Sequence, residues 1–144
     1  MGAAGEPVQG VIDPSAVFAW LLPDEQPARA TTDCLLALDA GKVQFTVPDL
    51  FTYECANILV VCLKRGRLDA EGLPEVQRFL RDLPLSLVRV PGGQEALTAL
   101  ARETGLSAYD AAYLTVAEAA GLPLISNDQS LVRVARERAV RGTL

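Results

Sequence analysis

The 144-residue sequence contains no histidine. This absence excludes Ser-His-Asp and Cys-His catalysis, zinc sites with histidine ligands, and an imidazole general base. Aromatic residues are also scarce, with one Trp, three Tyr and four Phe, which argues against a base-stacking platform. Any catalysis by this chain must therefore proceed without an imidazole.

Cysteine is limited to Cys34, Cys55 and Cys62, and no two of them form a C-x-x-C pair. The odd count and the spacing argue against a disulfide framework and against a zinc knuckle. Cys55 and Cys62 lie within an apolar helical pattern, so we expect them to be buried free thiols. Free thiols fit a reducing compartment, which predicts a cytoplasmic protein.

Long hydrophobic runs and excess positive charge are both missing. The longest apolar run, residues 16–22, is far shorter than a membrane span, and the first residues lack the basic and apolar regions of a signal peptide. With 13 Lys and Arg against 18 Asp and Glu, the formal charge is −5. This balance argues against a non-specific, charge-driven nucleic-acid binder, but it is compatible with an enzyme that recruits cations to a cluster of acids.

Short apolar runs alternate with helical patterns along the whole chain. Predicted strands cover residues 9–12, 43–47, 85–90 and 122–126, with a further edge strand at 140–144. Predicted helices cover residues 16–22, 27–40, 50–65, 69–83, 93–104, 107–120 and 128–138. This alternation is typical of a central parallel sheet between helical layers, so we predict one α/β/α domain at 9–144 after a flexible tail at 1–8.

Two acids, Asp13 and Asp128, directly follow predicted strands. In parallel α/β sheets, binding sites lie beyond the carboxyl ends of the strands. An aspartate in this position is also an ordinary helix N-cap, so each residue alone has a structural explanation.

Two further acids, Glu54 and Asp110, fall in the first turns of predicted helices, on faces that carry apolar residues. Burial of an unpaired carboxylate is costly, so Glu54 either reaches the edge of its stripe or has a partner, for which Asn57 is a candidate. Asp110 is three residues after Ser107, which resembles a capping box with Asp in place of Glu.

Together, these four carboxylates are predicted to meet near one sheet edge. Oxygen ligands of this kind bind hard divalent cations such as Mg²⁺ and Mn²⁺. A carboxylate-bound ion can activate a phosphodiester and a water nucleophile, and this chemistry requires no histidine.

Four segments resemble, in order, the successive motifs of the PIN-domain family, and most of all its VapC-type toxins from bacterial toxin–antitoxin pairs. They are VIDPSA at 11–16, YECANIL at 53–59, SAYDAAYL at 107–114 and LPLISND at 122–128. The resemblance implies a three-layer α/β/α PIN-like (Rossmann-like) fold and a metal-dependent endoribonuclease that cleaves RNA. It also implies a small antitoxin partner and a homodimer.

The same resemblance implies a role for each acid. Asp13, Asp110 and Asp128 would hold the main Mg²⁺ or Mn²⁺ ion, and Glu54 would hold a second ion or the attacking water. Ser15 and Ser126 match polar positions that steady the metal site in the family.

Several alternatives stay open at this point. The acids could serve only as caps and charge balance in a non-catalytic PIN-like RNA-binding or scaffold module, or the chain could be another acid-cluster hydrolase. Two basic groups either complement helix dipoles or form a basic lip for RNA: Lys64, Arg65 and Arg67, then Arg133, Arg136, Arg138 and Arg141. Apolar residues of the first two helices are predicted to be partly exposed as an antitoxin interface, or else to be core: Ala16, Val17, Trp20, Leu21, Leu22, Cys34, Leu35 and Leu38.

Overall fold

A four-stranded parallel sheet lies at the centre of the computed structural model, which describes residues 8–138 and residue 140. The strands are β1 (Val8–Ile12), β2 (Val43–Pro48), β3 (Leu85–Val88) and β4 (Leu124–Ile125), in the order β3-β2-β1-β4. Within the described residues, the helices are α1 (Pro14–Leu21), α2 (Arg29–Asp39), α3 (Phe51–Lys64), α4 (Leu73–Asp82), α5 (Gly93–Thr104), α6 (Ala108–Ala120) and α7 (Gln129–Glu137). The predicted three-layer α/β/α fold is confirmed.

The strand register brings the predicted site residues side by side. β1 lies between β2 and β4, and its last residue, Ile12, pairs with Ile125 of β4. The next residues, Asp13 and Ser126, therefore emerge together at the carboxyl edge of the sheet. Two residues before Ile12, a Cβ atom at Gly10 would lie 2.6 Å from Cδ1 of Ile125, so that side chain would have to shift to accept a larger residue.

The core lies where α6 packs against β1 and β2. Ile12 and Phe45 on the sheet and Ala112, Tyr113 and Leu114 on α6 are all buried. The small side chain of Ala112 allows α6 to approach the sheet closely. This packing fixes the first turn of α6 near the ends of β1 and β4.

One helix begins later than its sequence pattern indicates. Residues 69–83 are predicted as helix, but α4 starts at Leu73. The Asp69 carboxylate accepts a hydrogen bond from Gly72 N at 2.7 Å and closes a turn, and Pro74 then occupies the first turn of the helix, where its missing N–H costs nothing. The prediction for residues 69–72 is therefore wrong.

The apolar surface of α1 is less exposed than the sequence indicates. Ala16, Val17 and Leu22 are buried in the core, so their assignment to an interface is wrong. Trp20 is half-buried, its Nε1–H donates to Thr31 O at 2.8 Å, and its ring meets Phe79 edge-on at 6.4 Å between centroids.

Several other expectations concern the chain ends and the thiols. Cys55 and Cys62 are buried and free, as predicted.

Val8, assigned to the tail, is the first residue of β1, and the rest of the predicted tail (1–7) lies outside the described residues. Val140 is not part of a strand, and residues 141–144 are also outside that range. None of the helices described is long and apolar enough to cross a membrane.

Candidate active site

Asp13 is the most buried of the four predicted acids, with 3% of its surface exposed. It is the N-cap of α1, and Pro14 follows it in the first turn. Its Oδ1 accepts from Ser15 Oγ at 2.8 Å and from Ala16 N at 3.1 Å, while Oδ2 accepts from Ser126 Oγ at 2.7 Å. Since a carboxylate offers about four acceptor positions, three are used by the protein and roughly one is left for a further ligand.

The two serine hydroxyls connect Asp13 to the segment between β4 and α7. Ser15 Oγ accepts from Asn127 N at 2.9 Å, and Ser126 Oγ accepts from Asp128 N at 3.0 Å. The two hydroxyls are 3.1 Å apart. Asp13 is therefore held in one orientation by groups from both strand ends.

Burial raises the pKa of Asp13 to about 6. The loss of hydration, which disfavours the ionised carboxyl, outweighs the hydrogen bonds from Ser126, Ser15 and Ala16 N, which favour it. Repulsion from Asp110 adds to the increase.

Glu54 lies in the first turn of α3 and is half-buried. Its Oε1 accepts a hydrogen bond of 2.5 Å from the hydroxyl of Tyr113 on α6. Partial burial raises the pKa of Glu54, the hydrogen bond from Tyr113 lowers it, and the charge of Asp110 raises it. Burial of Tyr113 and its hydrogen bond to Glu54 raise the pKa of the tyrosine hydroxyl, so Tyr113 acts as the donor.

Asp110 lies in the first turn of α6, where Ser107 is the N-cap and its Oγ accepts from Asp110 N at 3.1 Å. Burial and then the negative charge of Asp128 raise the pKa of Asp110, against a lowering hydrogen bond from Ser107. Asp110 therefore interacts electrostatically with each of the other three acids. Asp110 is thus close enough to each of the other three acids for their charges to interact.

Asp128 is the N-cap of α7 and accepts from Ser130 N at 2.9 Å and Leu131 N at 3.2 Å, both through Oδ1. Asp13 and Asp128 thus both act as helix N-caps, which is the structural explanation that the sequence also allowed for each of them. These roles do not remove them from the site, because the second oxygen of Asp128 takes no hydrogen bond within the described residues.

The donor set suits a hard cation that keeps part of its water shell. Within residues 8–138, no three Asp, Glu or Cys side chains are close enough together to enclose an ion. Mg²⁺ usually binds through one or two carboxylates plus waters and substrate phosphates, without an all-protein cage. The available acceptor position on Asp13 and the carboxylate of Asp110, whose charge acts on Asp13, fit that mode.

The predicted basic groups are partly neutralised by ion pairs. Arg67 pairs with Asp24 and Glu25, and Arg138 with Glu103 and Glu118. A cleft of about 660 Å³ runs from Ser126 and Asn127 past Ala28 to Arg133 and Arg136. Arg141 is outside the described residues. Fewer unpaired basic side chains are therefore available for the predicted basic lip than the sequence indicates.

Two site residues were missed by sequence reasoning. No role was predicted for Tyr113, yet its hydroxyl is the partner of Glu54, and its position three residues after Asp110 was the available signal. Asn57, the predicted partner, lines a cavity beside Glu54 without a hydrogen bond to it. Asn127 binds the segment between α1 and α2 through Ala28 N at 2.6 Å, a contact across 99 residues with no local signal.

Comparison with known proteins gives consistent matches. The model of the PIN domain family matches residues 11–137. A protein named Ribonuclease VapC3 from Pyrobaculum aerophilum is 33% identical over 128 residues, covering 84% of this chain and 90% of that protein. The crystal structure of PAE2754 from Pyrobaculum aerophilum superposes with a TM-score of 0.64 at 27% identity, over 88% of this chain and 86% of that one.

Proposed function

The chain belongs to the PIN domain family, and from this premise we propose that it is a metal-dependent endoribonuclease, the toxin of a toxin–antitoxin pair. Support comes from its 33% identity to Ribonuclease VapC3 over most of both chains. The substrate is RNA, and the reaction is hydrolysis of a phosphodiester bond. The protein acts in the cytoplasm.

The observation that carries this proposal is the position of Asp13. A buried carboxylate at the end of a central strand is costly unless a ligand or a positive charge compensates it. Two serine hydroxyls orient Asp13, and the charge of Asp110 acts on it. Asp110 in turn interacts with Glu54 and Asp128. A structural cap needs no such surroundings, since a solvent-exposed aspartate caps a helix equally well.

Each acid has a role in this proposal. Asp13, Asp110 and Asp128 would hold a Mg²⁺ or Mn²⁺ ion together with waters and substrate phosphate oxygens, since no three acids enclose an ion by themselves within residues 8–138. Glu54 would hold a second ion or the attacking water. When bound, the ion supplies Lewis-acid activation of the phosphodiester and lowers the pKa of a coordinated water.

The surrounding residues position these acids. Ser15 and Ser126 fix the orientation of Asp13 through their hydrogen bonds, and Tyr113 fixes Glu54 by binding Oε1. The other oxygen of Glu54, Oε2, has no partner within the described residues and can accept a proton from the water. Asn57 lies one turn further along α3 and, like Glu54, lines a cavity between α3 and the start of α6.

The proposed partners follow from the same family membership. A small antitoxin binds through α1 and α2, where Leu36 is 63% exposed and Leu35 and Leu38 are half-buried. The chain forms a homodimer that sets two active sites near each other.

The proposal is tested by cleavage of a labelled single-stranded RNA with EDTA, Mg²⁺ or Mn²⁺. We expect cleavage only with a metal ion, and its loss in Asp13→Asn and Asp110→Asn, which keep the side-chain shape but remove the charge. Asp82→Asn is the matched control, because Asp82 ends α4 just before β3 begins, at the amino edge of the sheet. Metal-independent cleavage, or full activity of folded Asp13→Asn, would contradict the assignment.

A second candidate is a non-catalytic PIN-like RNA-binding or scaffold module. The capping hydrogen bonds of Asp13 and Asp128 favour it, because they give both acids a structural use. Thermal unfolding separates the two candidates. A ligand present at 100 times its Kd stabilises the folded state by about 2.7 kcal/mol, so Mg²⁺ or Mn²⁺ raises the Tm of a metal enzyme and leaves that of a scaffold unchanged.

A further inference from the structure

A second cavity, of about 350 Å³, opens beside Glu54. Its walls come from the first two turns of α3 and from the start of α6. Six residues line it: Leu50, Tyr53, Glu54, Asn57, Ile58 and Tyr109. Since Glu54 lines it, the cavity lies beside the candidate active site.

Two tyrosines in this cavity are unusually exposed. Tyr53 is 78% exposed and Tyr109 is 64% exposed, although they are two of only three tyrosines in the chain. Each precedes a site acid, Glu54 or Asp110. The described residues contain one aromatic ring contact, which is between other side chains, so neither tyrosine ring is covered by an aromatic neighbour. Single exposed apolar residues are normal, but two large rings facing one cavity mark a binding surface.

Asn57 adds a polar group with free hydrogen-bonding capacity. It lies one turn after Tyr53 in α3, it is exposed, and its amide has no hydrogen-bond partner within the described residues. An amide offers both donors and an acceptor, which suits the edge of a nucleobase.

The charge of this cavity excludes a phosphate group as its occupant. It contains no Lys or Arg, and its charged member is Glu54, with Asp110 next to Tyr109. A ligand bound here must therefore be held by stacking and by neutral hydrogen bonds. A nucleobase is flat, uncharged and rich in edge donors and acceptors, and every base has a face that can stack on a tyrosine.

We propose that Tyr53, Tyr109 and Asn57 form a subsite for one unpaired nucleobase of the RNA strand, next to Glu54. This inference rests on the proposed ribonuclease function and specifies its substrate as single-stranded, because a base in a duplex cannot enter the cavity. The scarcity of aromatic residues still excludes an extended platform. Two rings are sufficient for one nucleotide beside the scissile bond.

The test uses a short single-stranded RNA that carries 2-aminopurine, whose fluorescence falls when it stacks. Mixing in a stopped-flow instrument with Mg²⁺ measures binding before hydrolysis. We expect Tyr53→Leu and Tyr109→Leu each to weaken binding by about 5- to 150-fold and to remove the quenching phase. Tyr53→Phe and Tyr109→Phe keep the ring and are expected to bind like the parent chain. Asn57→Ala is expected to change the preference among bases.

The salt dependence of RNA affinity distinguishes a loss of stacking from a loss of phosphate contacts. Stacking releases no counterions, so the affinity ratio between parent and leucine variants should stay constant from low to high salt while both affinities fall. Because both tyrosines are exposed, the leucine variants should keep the Tm of the parent chain.

Three outcomes would overturn the subsite, and the first two are distinguishable from failure of the proposed function. Leucine variants that bind and quench like the parent overturn it, whether or not the RNA is cleaved. A leucine variant that sediments as a different oligomer assigns the rings to a contact between copies of the chain. No binding of any single-stranded RNA overturns both proposals. Binding with ring-dependent quenching but no hydrolysis overturns the nuclease and supports the subsite.

Discussion

The hydroxyl of Tyr113 donates a hydrogen bond of 2.5 Å to Oε1 of Glu54, across 59 residues of sequence. The tyrosine side chain is 1% exposed, whereas Glu54 is half-buried at the rim of a cavity. A rigid donor in the core thus fixes a flexible carboxylate at the surface. Without it, Glu54 could rotate away from the other acids.

Removal of this hydroxyl should therefore affect both stability and activity. We expect Tyr113→Phe to lower the free energy of unfolding by about 1.5–3 kcal/mol, the usual range for a hydrogen bond to a charged group, and to lower kcat. Urea denaturation and RNA cleavage measure the two effects. Tyr109→Phe removes an exposed hydroxyl without a partner and should change stability by less than about 0.5 kcal/mol. Equal losses in the two variants would contradict this role for the bond.

The pH dependence of stability should report the burial of Asp13. Its folded pKa of about 6 lies above the ordinary 3.8, so the folded chain binds this proton more tightly than the unfolded chain does. The contribution is fully present below the unfolded value and is lost as the pH rises through 6. The asparagine side chain does not titrate, so Asp13→Asn lacks this pH dependence. In EDTA, raising the pH from 4 to 7 should therefore lower the free energy of unfolding of the parent chain by about 2 kcal/mol relative to that of Asp13→Asn. Parallel pH profiles of the two proteins would disprove this effect of burial.

Gly10 can be tested by a substitution and its compensation. A methyl group there would lie 2.6 Å from Cδ1 of Ile125, the movable end of that side chain, so Gly10→Ala should destabilise the chain by about 1 kcal/mol, the low end of overpacking costs. Ile125→Val deletes that carbon and should cost about 0.5–1.5 kcal/mol alone. In the double variant the two costs should be less than additive, which thermal unfolding of all four proteins would show. Additive costs would exclude a direct steric clash.

The contacts of Asn127 should control the segment between α1 and α2. Its Oδ1 accepts from Ala28 N at 2.6 Å and its Nδ2 donates to Gln26 O at 3.2 Å. We expect Asn127→Ala to accelerate hydrogen exchange at the Ala28 amide by about 2- to 10-fold, the equivalent of one lost hydrogen bond. Gln129→Ala, a substitution of an exposed neighbour on α7, is the control. Unchanged exchange at Ala28 would show that other contacts hold the segment.

Local sequence patterns were sufficient to locate the four strands of the sheet and to place the acids along the chain. They overestimated the lengths of β3 and β4 and wrongly predicted an edge strand at Val140. An apolar run that ends in an aspartate defines both a strand end and a helix cap, and the structure shows this at Asp13 and Asp128. The serine that caps α6 was also recognisable, because Ser107 precedes Asp110 by three residues. These features depend on neighbours along the chain, which a single sequence displays.

Features set by distant contacts were not predictable in the same way. Which polar group meets Glu54 depends on how α6 packs against α3, so the local candidate Asn57 was chosen in place of Tyr113. The exposure of the apolar face of α1 was overestimated, because the sequence alone does not show which distant residues cover side chains such as Val17. The bonds of Asn127 to Gln26 and Ala28 have no local pattern either.

The hydrogen bond from Ser126 to Asp13 joins groups 113 residues apart. During synthesis at roughly 5–20 residues per second, the ribosome adds Ser126 about 6–23 seconds after Asp13. Until then, β1 lacks its β4 neighbour and Asp13 lacks one of its two serine donors. A nascent chain therefore carries the first carboxylate of the site for most of its translation without the groups that orient it, and the site is completed only when nearly the whole domain has emerged.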